Sequence, residues 1–199
     1  SNTVFGAGAG FFAIGYALFA IPSTLLLHRL GARRWITLIM IAWGLCSAAT
    51  AWVSTPIELF AVRLLLGMAE AGFNPGAILY FTYWFPDAYR GRVLGSFLFI
   101  MPVGLSIAAP VSGAILTWGG PSGLSGWQWL FIIEALPTLL LAGVVFVALT
   151  DRPRDARWLA PAAKEWLLHR LQSERAAQAP HGGRSPLART LRDRPVWTL

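Results

Sequence analysis

The feature that most constrains this chain is a set of apolar runs too long for a strand and too uncharged for a soluble surface helix. Stretches such as FGAGAGFFAIGYALFAIPSTLLL (residues 5–27) and LFIIEALPTLLLAGVVFVAL (130–149) recur along the first 150 residues. Runs of about 18 or more residues with few charges read as membrane-spanning helices. A single run would make an anchor, but their recurrence makes the chain polytopic. A strand reading does not compete, because backbone groups in lipid must find their hydrogen bonds within the segment, as a helix does. The expected fold is therefore all-α, a partial bundle of about five transmembrane helices near 4–27, 35–53, 58–84, 93–117 and 128–150. The connections at 28–34, 54–57, 85–92 and 118–127 are short.

Composition agrees with this class. The chain is 56% hydrophobic and 13% charged over 199 residues, with a mean hydropathy of +0.58. Apolar sequence begins almost at residue 1, without a basic leader or a small-residue cleavage site. No secretory signal peptide is expected, and the chain reads as a piece that starts inside a larger membrane protein. Residues 151–194 form a polar segment. Within it PAAKEWLLHRLQSERAAQA (161–179) reads as an amphipathic helix with Trp166, Leu167 and Leu171 on one side, lying on the bundle or the membrane surface. HGGRSP (181–186) reads as a joint, and PVWTL (195–199) as the opening of a further helix.

Charge placement orients the bundle. Arg29, Arg33 and Arg34 fall in the first connection, Arg90 and Arg92 in the third, and ten of the sixteen basic residues follow Thr150. The second and fourth connections contain no Lys or Arg. The positive-inside rule then puts 28–34, 85–92 and 151–194 in the cytoplasm. Trp52, Trp118, Trp127 and Trp129 fall near the opposite ends, where interfacial aromatic anchors belong. Topology thus accounts for the net charge of +7, and no nucleic-acid surface is expected. Other classes find little support. Cys46 is the one cysteine and lies in an apolar run, so no disulfide framework exists. His28, His169 and His181 form no metal-ligand spacing and no triad. The stretch Gly8-Ala-Gly10-Phe-Phe-Ala13 fits a dinucleotide fingerprint only superficially, since it follows no strand. No enzyme, cofactor or metal is expected. Gly6/Gly10 and Gly72/Gly76 fit the small-xxx-small pattern of close helix contact.

The informative residues are polar groups inside the third run, RLLLGMAEAGFNPG (63–76). Arg63, Gly67, Glu70 and Asn74 follow the i, i+4, i+7, i+11 rule and share one helical stripe. With the basic loops inside, Arg63 lies about two turns in from the outer end, and Glu70 about 10 Å deeper at ~1.5 Å per residue. A charge at the bilayer centre costs roughly 2.5–3.5 kcal/mol on insertion scales, so such residues need a partner or a wet cavity. Two readings are open at this point. In the first, Arg63 snorkels or pairs with a neighbouring helix and Glu70 is a hydrogen-bonded buried acid. In the second, Arg63 holds an anionic substrate through its planar fork and Glu70 binds a proton. Glu134, ahead of Pro137 in the last run, suits a structural pairing or hinge. Tyr16 and Tyr80 suit aromatic packing, with a cavity-facing role open to both.

The stretches GYALFAIPSTLLLHRLGARRW, RLLLGMAEAGFNPGAILYFTYWFP, YRGRVLGSF and GWQWLFIIEALPTLLLAG followed by LTDRPRDARWL resemble the major facilitator superfamily. More narrowly they are similar to its anion:cation symporters, which include tartrate, sugar-acid and phthalate permeases. The resemblance implies that residues 1–150 are helices two to six of a twelve-helix protein, with 151–194 its central cytoplasmic loop. It implies that Arg63 contacts a substrate carboxylate and that Glu70 takes part in proton coupling; Tyr16 and Asn74 complete the expected substrate-binding set. The superfamily loop G-x-x-x-D-R-x-G-R-R is matched by Arg29, Gly31, Arg33 and Arg34. Thr24 stands for its first Gly and His28 for its Asp, and Ala32 is out of pattern. With Glu134, these residues form the expected gating and structural set. The implied function is proton-coupled uptake of small organic anions by alternating access, in a multi-pass protein of the bacterial inner membrane. Its partners would be the anion, the proton, the lipid bilayer and the remaining half of the transporter. Three alternatives stay open: an anion exchanger, a membrane scaffold or sensor, and a fragment that does not transport.

Overall fold

The computed structural model describes residues 2–118 and 123–178. The expected joint at 181–186, the further helix at 195–199 and the rest of the segment after 178 lie outside the described residues, as do residues 119–122 of the fourth connection. The described chain is helical, with α1 (Asn2–Leu30), α2 (Ala32–Thr50), α3 (Pro56–Glu70), α4 (Phe73–Trp84), α5 (Asp87–Thr117), α6 (Gly126–Ala148) and α7 (Pro161–Gln178). A short 3-10 turn, Pro153–Asp155, precedes α7.

Three of these helices are long and apolar enough to cross a membrane: α1 from Thr3, α5 and α6. They are apolar around their whole circumference, and Leu98, Phe99, Ile100 and Met101 of α5 all stand exposed. A helix apolar on every side belongs in lipid or in the core of a larger assembly. The chain is a polytopic membrane protein.

The third expected helix is two helices. The run 58–84 was expected to be continuous, but it divides at Ala71 and Gly72. The cause is Pro75, which has no N–H for the Ala71 carbonyl and whose ring crowds that carbonyl. Both Ala71 and Gly72 keep right-handed helical dihedrals, so the chain kinks without turning back.

The junction of α1 and α2 is a single residue, Gly31, at φ 82°. Its neighbour there is the Asp151 carboxylate, whose Oδ1 would lie 2.9 Å from a Cβ at this position. Only glycine combines that dihedral with that approach. The main core gathers at this same end, where Leu27, Ala32, Trp35, Ile36 and Ile39 are buried. Phe73, Leu79 and Tyr80 of α4 and Val145 of α6 pack against them. The basic connections meet here, so this is the basic end of the bundle. At the opposite end Gln128 Nε2 donates to the Ala51 carbonyl at 2.8 Å, and the Trp118 and Trp129 rings lie 5.7 Å apart.

Small residues set the closest helix pairs. Gly44 of α2 faces Leu139 of α6, and Ala135 and Ala142 of α6 are buried. The expected Gly6/Gly10 pair makes no such contact, for nothing lies within 4 Å of a Cβ at either position. Gly8 and Gly15 meet α3 instead. The face of α7 also differs from expectation. Leu171 is buried but Trp166 is 59% exposed, because positions 166 and 171 lie about 140° apart at 100° per residue.

Candidate functional site

The site is built from α3 outward. Pro56 opens the helix at its first position, and the Thr55 hydroxyl accepts from Glu58 N at 3.3 Å. The Glu58 carboxylate in turn accepts from Ser54 N at 2.8 Å and Thr55 N at 3.2 Å. This reciprocal capping box fixes where α3 starts. The register that follows carries Arg63 and Gly67 against α1 and ends the helix at Glu70.

Gly67 is the pivot. It is buried, and a Cβ there would collide with the Phe12 carbonyl of α1 and lie 3.0 Å from Tyr16 N. Gly15 answers it from α1, where a Cβ would collide with the Leu64 carbonyl and lie 3.2 Å from Met68 N. One turn before Gly67, the Arg63 guanidinium lies 6.0 Å from the Phe5 ring centre. The Arg63 Cγ would lie 3.7 Å from a Cβ on Gly8. The ion pairs among the described residues are Arg90–Asp87, Arg154–Asp155 and Arg170–Glu174, so Arg63 is half-buried without a carboxylate partner among them. An aromatic face is a weak partner for a guanidinium compared with an anion.

Glu70 ends α3 half-buried, with no hydrogen bond or ion pair among the described residues. Asn74 follows the kink in α4 and is exposed. The stripe is therefore regular from Arg63 to Glu70, and the break displaces Asn74 from an ideal register. Tyr16 lines a groove of about 450 Å³ with Ala20 and Thr24 of α1 and with Ala71 and Pro75 at the break. Behind the kink, Gly72 leaves room for the buried Ser23 hydroxyl and for Trp35 Nε1 at 2.8 Å from a would-be Cβ. The structure thus gathers Arg63, Tyr16, Gly67 and the helix break along one contact between α1 and α3.

The expected gating and structural residues fall in different places. Gly31 and Arg33 sit beside Asp151, and Arg33 N donates to Asp151 Oδ1 at 2.8 Å. The Arg33 guanidinium lies 4.7 Å from the Phe146 ring centre. Arg29 is exposed, and Arg34 is exposed at the edge of a groove lined by Leu38, Ile41, Leu139 and Phe146. Glu134 lies in the α5–α6 contact, where it accepts from the Ser112 hydroxyl at 2.7 Å. Tyr80 packs among aromatic rings, 5.9 Å from Trp84. Asp151 and Glu174 were not singled out by sequence reasoning. A signal for both existed, since α2 and α5 begin after Gly31 and Pro86, neither of which can cap a helix with its side chain.

The family model of the Major Facilitator Superfamily matches residues 1–199. A protein of Agrobacterium vitis named "Putative tartrate transporter" is 47% identical over 178 residues, which is 89% of this chain and 41% of that protein. The "Quinolone resistance transporter" of Acinetobacter baumannii is 40% identical over 198 residues, covering 100% of this chain and 45% of its own length. Among solved structures, the inward-open conformation of the xylose transporter XylE from E. coli superposes with a TM-score of 0.71. That match has 18% identity and covers 92% of this chain and 48% of XylE, a likeness of fold. The chain spans less than half the length of each of these relatives.

Proposed function

Because the chain belongs to the Major Facilitator Superfamily, we propose that it forms part of a proton-coupled transporter of small organic anions in the bacterial inner membrane. Sugar acids, tartrate-like diacids and aromatic carboxylates are the substrate class. The observation that carries this reading is Arg63, a half-buried guanidinium without a carboxylate partner among the described residues. In a low-dielectric setting such a group is costly alone and favourable with an anion. A carboxylate completes its planar fork with two parallel hydrogen bonds. The groove lined by Tyr16, Ala71 and Pro75 lies further along the same α1–α3 contact, past Gly67.

Glu70 is the proton site of this proposal. It lies two turns from Arg63 on the same helix, too far for a direct ion pair along the axis at ~1.5 Å per residue. Its carboxyl is therefore free to gain and lose a proton as an anion comes and goes. Substrate binds near the midplane, and two helical halves rock around it. The resemblance to a tartrate transporter supports an organic acid as cargo. The proposed topology places the basic end in the cytoplasm.

The test is uptake by the full-length protein in proteoliposomes, with a panel of mono- and dicarboxylates and an imposed pH gradient. Accumulation of at least one acid, driven by the gradient and lost in Arg63→Ala, is expected. Accumulation that is unchanged by collapsing the pH gradient points to exchange and contradicts proton symport.

A further inference from the structure

Every α-helix begins with backbone N–H groups that lack an intrahelical partner. Of the two helices that start at the opposite end, α3 solves this locally with the capping box Thr55/Glu58, and at the start of α6 the Gln128 side chain turns back to accept from Ser125 N at 2.9 Å. The two that start at the basic end, α2 and α5, do not. Their N-cap residues are Gly31 and Pro86, and neither makes a side-chain cap bond.

The missing acceptors come from the segment after α6. Asp151 Oδ1 accepts from Arg33 N of α2 at 2.8 Å, across 118 positions of sequence. Glu174 Oε2 of α7 accepts from Asp87 N of α5 at 3.0 Å, across 87 positions. Further contacts bind this segment to α4 between the two anchor points. The Arg152 guanidinium lies 5.0 Å from the Tyr83 ring centre. Trp158 stacks on Trp84 at 5.6 Å with planes 7° apart. Leu168 and Leu171 of α7 join Tyr83 and Pro153 around a small cavity. Glu174 is itself held by Arg170 Nε at 3.1 Å.

We propose that residues 151–178 are a strap in which Asp151 and Glu174 cap α2 and α5 from a distance, tying the basic ends of α2, α4, α5 and α6 into one body. Both carboxylates meet the positive ends of helix dipoles, which adds an electrostatic component to each bond. Asp151 and Glu174 are positioning residues: they touch no substrate. Their effect on transport is to make this end of the bundle move as a unit, so they act on turnover and leave the anion site intact. The transport part of this inference rests on the proposed function; the capping part does not.

The experiment uses the full-length protein and two readouts, amide hydrogen exchange and transport. Asp151→Ala is expected to speed exchange in the first turn of α2 about fivefold to tenfold and leave α5 unchanged. Glu174→Ala is expected to do the reverse. Asp151→Asn and Glu174→Gln keep an accepting oxygen and are expected to restore protection to within about twofold, as side-chain amides cap well. Trp158→Ala, at an exposed position, is expected to speed exchange at both first turns. Turnover falls severalfold in both alanine variants, with the apparent affinity for the carboxylate within twofold. The strap is overturned if exchange at α2 and α5 ignores these substitutions, or if Trp158→Ala loosens neither end. If exchange responds as expected but no carboxylate is transported, the transport reading fails and the strap stands.

Discussion

Gly15 of α1 and Gly67 of α3 sit in each other's notches, each against the backbone of the facing helix. This mutual fit brings α1 and α3 together and sets the spacing between Tyr16 and Arg63. In lipid there is no hydrophobic drive to press helices together, so close backbone approach through small residues carries much of the association.

Gly67→Ala therefore adds a methyl where the Phe12 carbonyl already stands. Overpacking of this kind costs typically about 1–3 kcal/mol. The expected result is a lower melting temperature in detergent and weaker carboxylate binding, as α1 and α3 move apart. Gly10→Ala is the control, because nothing lies within 4 Å of a Cβ there. Equal loss in both variants would contradict the packing argument.

Arg63 makes a second prediction through its charge. Hydrogen bonds to charged groups contribute about 1.5–3 kcal/mol each, so loss of even one of the two in Arg63→Ala weakens carboxylate binding by at least roughly tenfold to a hundredfold. Arg63→Lys keeps the charge but loses the planar fork, and an intermediate affinity is expected. Isothermal titration or ligand-induced thermal shift of the full-length protein measures both. An unchanged affinity in Arg63→Ala removes Arg63 from the anion site.

Pro75 makes a third. Pro75→Ala returns an N–H opposite the Ala71 carbonyl and removes the ring clash, a change worth about 3 kcal/mol in a helix interior. Slower amide exchange across 71–75 and a higher melting temperature are expected, with slower turnover if the kink moves during transport. Exchange that stays as fast as in the parent would show that the break has another cause.

Much of this architecture is legible in the chain. The long apolar runs declare membrane helices, because length and the absence of charge are enough. The five runs correspond to α1, α2, α3 with α4, α5 and α6, with ends shifted by a few residues. What was missed depended on neighbours distant in sequence. The break at Ala71 and Gly72 was hidden because Gly72 and Gly76 drew notice as a contact motif while Pro75 between them did not. The glycines that touch α3 proved to be Gly8 and Gly15 rather than Gly6 and Gly10, since spacing alone does not say which helix face meets a partner. Asp151 and Glu174 lie far along the chain from the amides they accept. Their role was visible only as a deficit, two helices starting without a local cap. The Arg63–Glu70 stripe was legible from helical periodicity, and the kink beyond it was not.

The central claim is that Arg63 and Glu70 divide the labour, one holding the anion and the other the proton. The most direct measurement compares the full-length parent with Glu70→Gln in proteoliposomes, recording carboxylate accumulation against a pH gradient and carboxylate exchange without one. Glu70→Gln is expected to abolish gradient-driven accumulation while exchange persists. Accumulation in Glu70→Gln equal to that of the parent would contradict the account.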